Sequence, residues 1–345
     1  MKKILHVLNT AKLSGAENVA ADICMMFDGE YEMYYCSLQG EVKKALKDRG
    51  VNYIPLNKLT VSELKRVISR IKPDIIHAHD VKATLVSTVA TKKLPIVSHL
   101  HVNQDNMKKK TLKASLFLLS SLRVKKIVAV SEGSVNDFAY KRFIVNKSTI
   151  LQNIIHTNRV GKLIVKDTNE YNFDFIFLGR LSNQKNPQRV AKVASKVLEK
   201  RKDVRFGIIG EGEFKEEMIN IFKKEGVLER VTFTGGLSYP YKAIMQSKCM
   251  LFCSRFEGTP IAGLEAMSLG VPIVSTPTDG MKELIINNQT GFLSDDDDTL
   301  VQSIINLITQ KDLNDKMSKN AKEKFEKIND EEQYKKSLIK IYEEL

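Results

Sequence analysis

Cys249-Met250-Leu251-Phe252-Cys253-Ser254-Arg255-Phe256-Glu257-Gly258-Thr259-Pro260-Ile261-Ala262-Gly263-Leu264-Glu265-Ala266-Met267 reads as a strand, a turn and a helix in immediate succession. The opening run is short and apolar throughout, as in a strand buried on both faces of a parallel sheet. Thr259 suits the helix cap, Pro260 its first position and Gly270 the point where it must stop. Residues 271–275, Val-Pro-Ile-Val-Ser, then read as the next strand. A loop between a parallel strand and its helix lies at the carboxyl end of the sheet, where open α/β sheets bind ligands. Glu257 occupies that loop, and Glu265 lies about one and a half turns into the helix. Free N–H groups at the helix start favour an anion nearby. Two glutamates taken at random are a solvated loop residue and an ordinary helical one; this strand–loop–helix setting favours function.

The same alternation runs outward in both directions. Strand patterns fall at residues 3–9, 33–38, 75–79, 96–101, 127–130 and 148–151, then again at 173–178, 205–209, 231–234, 250–253 and 272–275. Helical patterns begin near Ala16, Glu41, Val61, Lys82, Thr111 and Ser134. Strands separated by helical segments imply parallel sheets with right-handed crossovers. A chain of 345 residues exceeds one ordinary core, so two α/β domains are expected, with the boundary in the polar stretch 158–172 and a ligand cleft facing the carboxyl ends of both sheets. The final segment, 330–345, reads as an amphipathic helix.

Composition narrows the class. An apolar share of 43% without low-complexity runs fits a folded, soluble chain, and no window has the length of a membrane span. The start, Met1-Lys2-Lys3-Ile4-Leu5-His6-Val7-Leu8-Asn9, is broken by His6 and Asn9 and reads as a first strand rather than a leader, so a cytoplasmic location is expected. Cys24, Cys36, Cys249 and Cys253 make no disulfide framework in a chain of this size and read as buried thiols. The net charge of +13 suggests an anionic partner.

Phe177-Leu178-Gly179-Arg180-Leu181-Ser182-Asn183-Gln184-Lys185-Asn186-Pro187 is a second strand end, loop and helix start. There Arg180 and Lys185 suit the oxygens of a diphosphate, one as a fork and the other as a point charge. In Leu13-Ser14-Gly15-Ala16-Glu17-Asn18, Gly15 lets backbone N–H groups approach an anion, though the stretch is not Gly-x-Gly-x-x-Gly and gives little support to a dinucleotide site. Four of the six histidines sit at two strand ends, in Pro73-Asp74-Ile75-Ile76-His77-Ala78-His79-Asp80 and Ser98-His99-Leu100-His101-Val102-Asn103. Alternation puts His77 and His79 on one face, and likewise His99 and His101. Zinc with Asp80 as a further ligand is one interpretation. No His-x-x-Glu-His arrangement accompanies it, and no metal or other cofactor is expected. His77 reads as structural, and His101 as the residue to polarise or orient a reacting group. Asp295-Asp296-Asp297-Asp298 contains an Asp-x-Asp, but carboxylates at a helix start are explained by capping and the helix dipole. Residues 107–126 carry Lys108, Lys109, Lys110, Lys113, Arg123, Lys125 and Lys126 beside Leu112, Leu116, Phe117, Leu119 and Leu122. They form either a solvated face over a buried stripe or a helix drawn to anionic lipid.

Together these residues resemble the retaining GT-B glycosyltransferases of the "glycosyl transferases group 1" family, the Glu-x7-Glu type, over nearly the whole chain. The most specific parts are residues 177–187 and 254–276, followed by Gly280-Met281-Lys282-Glu283 and Thr290-Gly291-Phe292-Leu293. Weaker echoes are residues 14–17 and 73–79, Ala129-Val130-Ser131-Glu132, Leu151-Gln152-Asn153 and Gly210-Glu211-Gly212. The resemblance implies two Rossmann-like domains with parallel sheets facing an inter-domain cleft: 1–160 on the acceptor side, 161–328 holding the nucleotide-sugar, and 329–345 as a helix returning to the first. It implies that Arg180 and Lys185 neutralise the leaving diphosphate without a metal. Glu257 would contact the donor sugar and Glu265 the ribose, with Gly15, Gly236 and the backbone of Gly258, Thr259, Pro260 and Ile261 also on the donor. His101, or His99 in the alternative register, would stand near the anomeric centre. The activity implied is a hexosyltransferase-like transfer with retention, from a UDP-sugar to a glycan or polyprenyl-phosphate-linked acceptor in cell-surface polysaccharide synthesis. The setting implied is the inner face of the cytoplasmic membrane, with Lys108, Lys109, Lys110, Lys113 and Arg123 toward the acceptor or lipid. The chain departs from the family pattern at Ser14-Gly15, where two glycines are usual. It departs again at Asn153-Ile154-Ile155-His156, which lacks a hinge glycine, and at Glu257-Gly258-Thr259-Pro260, which bears on the sugar that fits. A nucleotide-sugar epimerase or hydrolase on the same fold is the competing enzyme. A nucleic-acid-binding protein is the competing class, and no aromatic-interleaved basic strand or recognition helix supports it.

Overall fold

Two parallel sheets with helices between their strands make up the chain, described at residues 1–101 and 105–345 by a computed structural model. Contacts divide it into one unit of Met1–His156 with Asp330–Leu345 and another of Thr157–Asn329. The first unit holds β1 (Lys3–Val7), β2 (Glu32–Leu38), β3 (Asn52–Leu56), β4 (Ile75–His79), β5 (Ile96–Leu100), β6 (Lys126–Ala129) and β7 (Ser148–Ile150). They lie in the order β3-β2-β1-β4-β5-β6-β7, every pair parallel. The second holds β8 (Phe175–Leu178), β9 (Phe206–Ile209), β10 (Val231–Gly235), β11 (Cys249–Phe252), β12 (Ile273–Ser275) and β13 (Gly291–Leu293). Their order is β10-β9-β8-β11-β12-β13, again parallel throughout. Each sheet therefore reverses its winding once, between β1 and β4 and between β8 and β11. Those reversals are where a doubly wound sheet opens a crevice for ligand.

Two strands have no clear sequence pattern, and both are sheet edges. β3 carries Asn52 and Pro55, and proline lacks a ladder donor, which an edge tolerates. β13 is three residues long.

The cores follow from alternation. In the first unit Leu5, Val7, Ile76, Ala78, Ile96 and Leu100 pack on one sheet face with Leu64, Val67 and Phe117 of the helices. In the second, Phe175, Phe177, Phe206, Ile208 and Leu251 pack with Val190, Val197, Leu300 and Ile304. The helix Ile261–Ser268 starts one residue later than its sequence suggests. Pro260 is its cap residue and Thr259 is buried, while Gly270, at φ +70, follows its end as expected. Thr157–Ile164, overlapping the start of the polar stretch, is also a helix.

The closing helix Glu331–Glu343 is capped by the Asp330 carboxylate and docks within the first unit. Its buried Tyr342 hydroxyl lies 2.7 Å from His77 Nδ1, and Glu331 lies 2.6 Å from His156. In the aspartate run Asp296 is the cap, and its neighbours pair with cations of the helix Pro187–Lys200. Asp296 accepts from the Thr299 N–H at 2.7 Å, Asp297 pairs with Arg189 and Asp298 with Lys196, each at 2.8 Å. Among the described residues no helix is long and apolar enough to cross a membrane.

Candidate active site

The loops after β8 and β11 flank the winding reversal of the second sheet and are tied to each other. Arg255 N–H donates to the Gln184 carbonyl, its Nε to that of Asn183 and its Nη2 to Asn186 Oδ1. Asn186 holds φ +51, an uncommon conformation for a non-glycine residue, and lets the helix Pro187–Lys200 start at once. Lys185 Nζ reaches Glu257 Oε1 at 2.5 Å, Ser254 Oγ donates to the same oxygen at 2.6 Å, and Gln184 Nε2 reaches Oε2. Glu257 is thereby locked in place, its side chain 5% exposed, with Lys185 still partly open. Arg180 lies exposed on the first loop and makes no ion pair among the described residues. These features bring Lys185, Glu257 and the backbone of Gly258–Ile261 together, with Arg180 free to turn toward an added anion.

Two glycines let the loops pack this closely. A Cβ on Gly280 would stand 1.4 Å from the Gly258 carbonyl oxygen, so the helix Asp279–Leu284 braces the Glu257 loop only with glycine there. Gly210, at φ +142, would bring a Cβ within 2.0 Å of the Gly179 oxygen at the foot of the Arg180 loop. Gly236 is exposed beyond β10, with open space around a Cβ.

Glu265 has partners of its own. It is 4% exposed and pairs with Arg159 Nη1 at 2.9 Å, which also donates to Tyr241 Oη at 2.8 Å. Arg159 is fully buried, and its guanidinium compensates a carboxylate that would otherwise be costly inside the protein. Nothing local in the sequence marks Arg159. Its one signal is helical spacing, since Arg159, Val160 and Leu163 are the buried residues of their helix.

In the first unit the parallel register places histidines side by side on one face, His6 opposite His77 and His79 opposite His99. With His101 they make a row of five, each at most 5% exposed. His6 Nδ1 meets His79 Nε2 at 2.9 Å, His79 Nδ1 meets His101 Nε2 at 2.8 Å, and His77 Nε2 meets His99 Nδ1 at 3.2 Å. Burial lowers the pKa of all five, to about 3 for His6 and about 4 for His101. His6 joins the four seen in sequence because β1 lies beside β4. One ring nitrogen from each of His6, His77 and His79, or of His79, His99 and His101, lies within metal-binding reach of the others.

Beside this row, at the other winding reversal, a cavity of about 280 Å³ is lined by Asn9, Thr10, Ala16, Glu17, His79, Asp80, Lys82 and Lys113, among others. Asp80 holds φ +66 and accepts from the His101 N–H at 3.2 Å. The helix Gly15–Met26 opens there through a capping box of Ser14 and Glu17. Gly15 is exposed and has open space around a Cβ, so packing does not require glycine at that position.

The basic stretch is two helices, Asp105–Lys108 and Leu112–Ser121, followed by a turn. Its apolar stripe is only partly buried. Phe117 is inside, but Leu112, Leu119 and Leu122 are 78%, 62% and 68% exposed. Spaced by seven and then three residues, they share one outward face with Lys108, Lys109 and Lys110 exposed nearby.

Comparison with known proteins gives the family and the fold. The family "Glycosyl transferases group 1" matches residues 164–324, and "Glycosyltransferase Family 4" matches residues 13–159. The UDP-Gal:alpha-D-GlcNAc-diphosphoundecaprenol alpha-1,3-galactosyltransferase of Escherichia coli is 24% identical, across 93% of this chain and 92% of its own. The capsular polysaccharide biosynthesis glycosyltransferase CapH of Staphylococcus aureus is 22% identical, across 80% of this chain and 81% of its own. The crystal structure of Anabaena HepE in complex with UDP and glucose covers 100% of both chains at 19% identity, with a TM-score of 0.85, and so shares the fold.

Proposed function

The chain belongs to the glycosyl transferases group 1 family and is a GT-B glycosyltransferase, and from that premise we propose that it moves a hexose, with retention, from a UDP-sugar to a polyprenyl-linked glycan acceptor at an anionic membrane face. The observation that carries this reading is the loop pair of the second unit, with Lys185 and Glu257 in contact at the winding reversal and Arg180 exposed beside them. Arg180 and Lys185 take the diphosphate oxygens. As the bond from the anomeric carbon to the diphosphate breaks, they stabilise the charge gathering on the leaving group, with no metal required for that step. The acceptor hydroxyl attacks from the same face, its proton passing to the departing phosphate oxygen. Glu257 receives the sugar hydroxyls, Glu265 the ribose, and the Gly258–Ile261 backbone the phosphate and sugar, with Gly236 as a further donor contact. His101, neutral because it is buried, orients the reacting group near the anomeric centre. Gly15 leaves the helix start open to an anion. The donor and acceptor named for the Escherichia coli relative and the capsular role of CapH support the substrate classes.

The purified chain should release UDP from a UDP-sugar only when acceptor is present, and equally well in EDTA. Free monosaccharide or its epimer appearing without acceptor would replace this reading with the hydrolase or epimerase.

The exposed Leu112, Leu119 and Leu122 with their flanking lysines fit an interfacial helix, each basic residue adding about 1 kcal/mol near anionic lipid. Lys113 and Arg123, expected on that face, are engaged elsewhere: Lys113 lines the cavity beside His79, and Arg123 Nη2 donates to the Thr91 carbonyl. Binding to phosphatidylglycerol vesicles should weaken as salt rises and fall sharply in a Leu112→Ser, Leu119→Ser double variant. Absent or salt-independent binding would remove the membrane from the proposal.

A further inference from the structure

We propose that Arg159 is a positioning residue for the donor: by fixing the Glu265 carboxylate it makes the site select a nucleotide with ribose hydroxyls over one without them. The inference rests on the ribose role proposed for Glu265. Arg159 Nη1 donates to Glu265 Oε1 at 2.9 Å and to Tyr241 Oη at 2.8 Å, and the guanidinium carbon stands 5.7 Å from the centre of the Tyr241 ring. Three helices, Thr157–Ile164, Tyr241–Met245 and Ile261–Ser268, thus meet at one cation.

Exposure within this trio is one-sided. The Arg159 side chain is 0% exposed and that of Glu265 is 6% exposed, so a molecule arriving from solvent meets the carboxylate and not the guanidinium. An ionised carboxylate only accepts hydrogen bonds, and the groups with which a ribose donates them are its hydroxyls. Arg159 supplies the charge that lets this carboxylate stay ionised inside the protein, where a lone ion is costly. Glu265 follows Ile261 by one turn, and helical side chains lean toward the start of their helix. Glu265 therefore leans back over the Gly258–Ile261 turn, the backbone proposed to meet phosphate and sugar.

Stability alone is a weak reason for the pair, because well-packed apolar residues of similar volume often match a buried ion pair. Selectivity is a stronger one. A guanidinium nitrogen that bonds both a carboxylate oxygen and a phenol restricts the rotation of the carboxylate, and an acceptor already held in place loses little freedom when a ligand arrives. The planar fork matters as well as the charge, since an ammonium in its place is a point charge on a flexible stem. Tyr241, 1% exposed, holds the guanidinium from the side away from the carboxylate oxygen it shares no bond with.

The test titrates the full chain calorimetrically with UDP and with 2′,3′-dideoxy-UDP, and reads the ratio of the two affinities. A merely structural role for Arg159 would lower Tm and move both affinities together, leaving their ratio alone. The wild type should bind UDP about tenfold or more tightly than the dideoxy compound, as expected for hydrogen bonds to a charged acceptor. Glu265→Gln and Arg159→Met should each cut that preference about fivefold or more, chiefly by weakening UDP. Arg159→Lys should lower it in part, and Tyr241→Phe least. A preference lost in Glu265→Gln but kept in Arg159→Met overturns the inference and leaves the ribose role of Glu265 standing. A preference kept in Glu265→Gln, or absent from the wild type, overturns that role and the inference with it. If Arg159→Met does not fold, Arg159→Lys decides, and a wild-type ratio there overturns the inference.

Discussion

Replacing Lys185 with alanine should lower turnover by about 10²–10³-fold, the usual effect of removing one group aimed at charge that develops in a transition state. Two causes combine. The leaving diphosphate loses a cation at the carboxyl end of β8, and Glu257 loses the partner that sits 2.5 Å from its carboxylate. The abandoned Glu257, held by Ser254 and Gln184, then repels the donor's phosphates. A Lys185→Ala, Glu257→Gln double variant should therefore recover some donor affinity while turnover stays low. Arg180→Ala should lose activity to a similar extent without loss of stability, because its side chain is exposed. Steady-state kinetics with a saturating acceptor separate these effects, and normal turnover in either single variant would refute the phosphate role.

Acid should unfold the chain well above the pH at which its carboxylates titrate. His6, His77, His79, His99 and His101 are all held neutral by burial, with pKa values below the ordinary imidazole range. Once unfolded they titrate near pH 6.5, so the unfolded chain binds more protons. The stability that comes from keeping them neutral is complete above about pH 6.5. It is lost as pH falls below that value, toward about 4 for His101 and about 3 for His6. Each group contributes up to about 1.4 kcal/mol per pH unit between its unfolded and folded pKa, so several such groups together make the loss of stability in acid steep. Urea unfolding followed by circular dichroism, in EDTA, should show the midpoint collapsing between about pH 6 and pH 5. Equal midpoints at about pH 7.5 and pH 5 would contradict this, as would an unchanged slope in His6→Gln.

The parallel sheets and the loops after β8 and β11 were legible because each rests on local pattern. Short apolar strands, then loops of glycine, proline and charge, place Arg180, Lys185 and Glu257 before any contact is known. Residues whose meaning arises from pairing were not legible. His6 is one polar residue in a strand until β1 lies beside β4 and opposes it to His77. Arg159 and Glu265 are 106 positions apart, so neither local composition nor helical period links them. The exposure of Leu112, Leu119 and Leu122 was open for the same reason, since an apolar stripe does not say whether another part of the chain covers it. β3 and β13 were missed as edges, where burial on both faces no longer writes a continuous apolar run.

Titrating UDP into the purified chain in the presence of EDTA tests most directly whether the loops after β8 and β11 hold a nucleotide diphosphate without a metal. Calorimetry should give one site per chain. Its affinity should fall at least tenfold in Lys185→Ala and remain unchanged in Asp298→Asn, whose carboxylate pairs with Lys196. Binding that requires Mg²⁺, or that is indifferent to Lys185, would contradict the account.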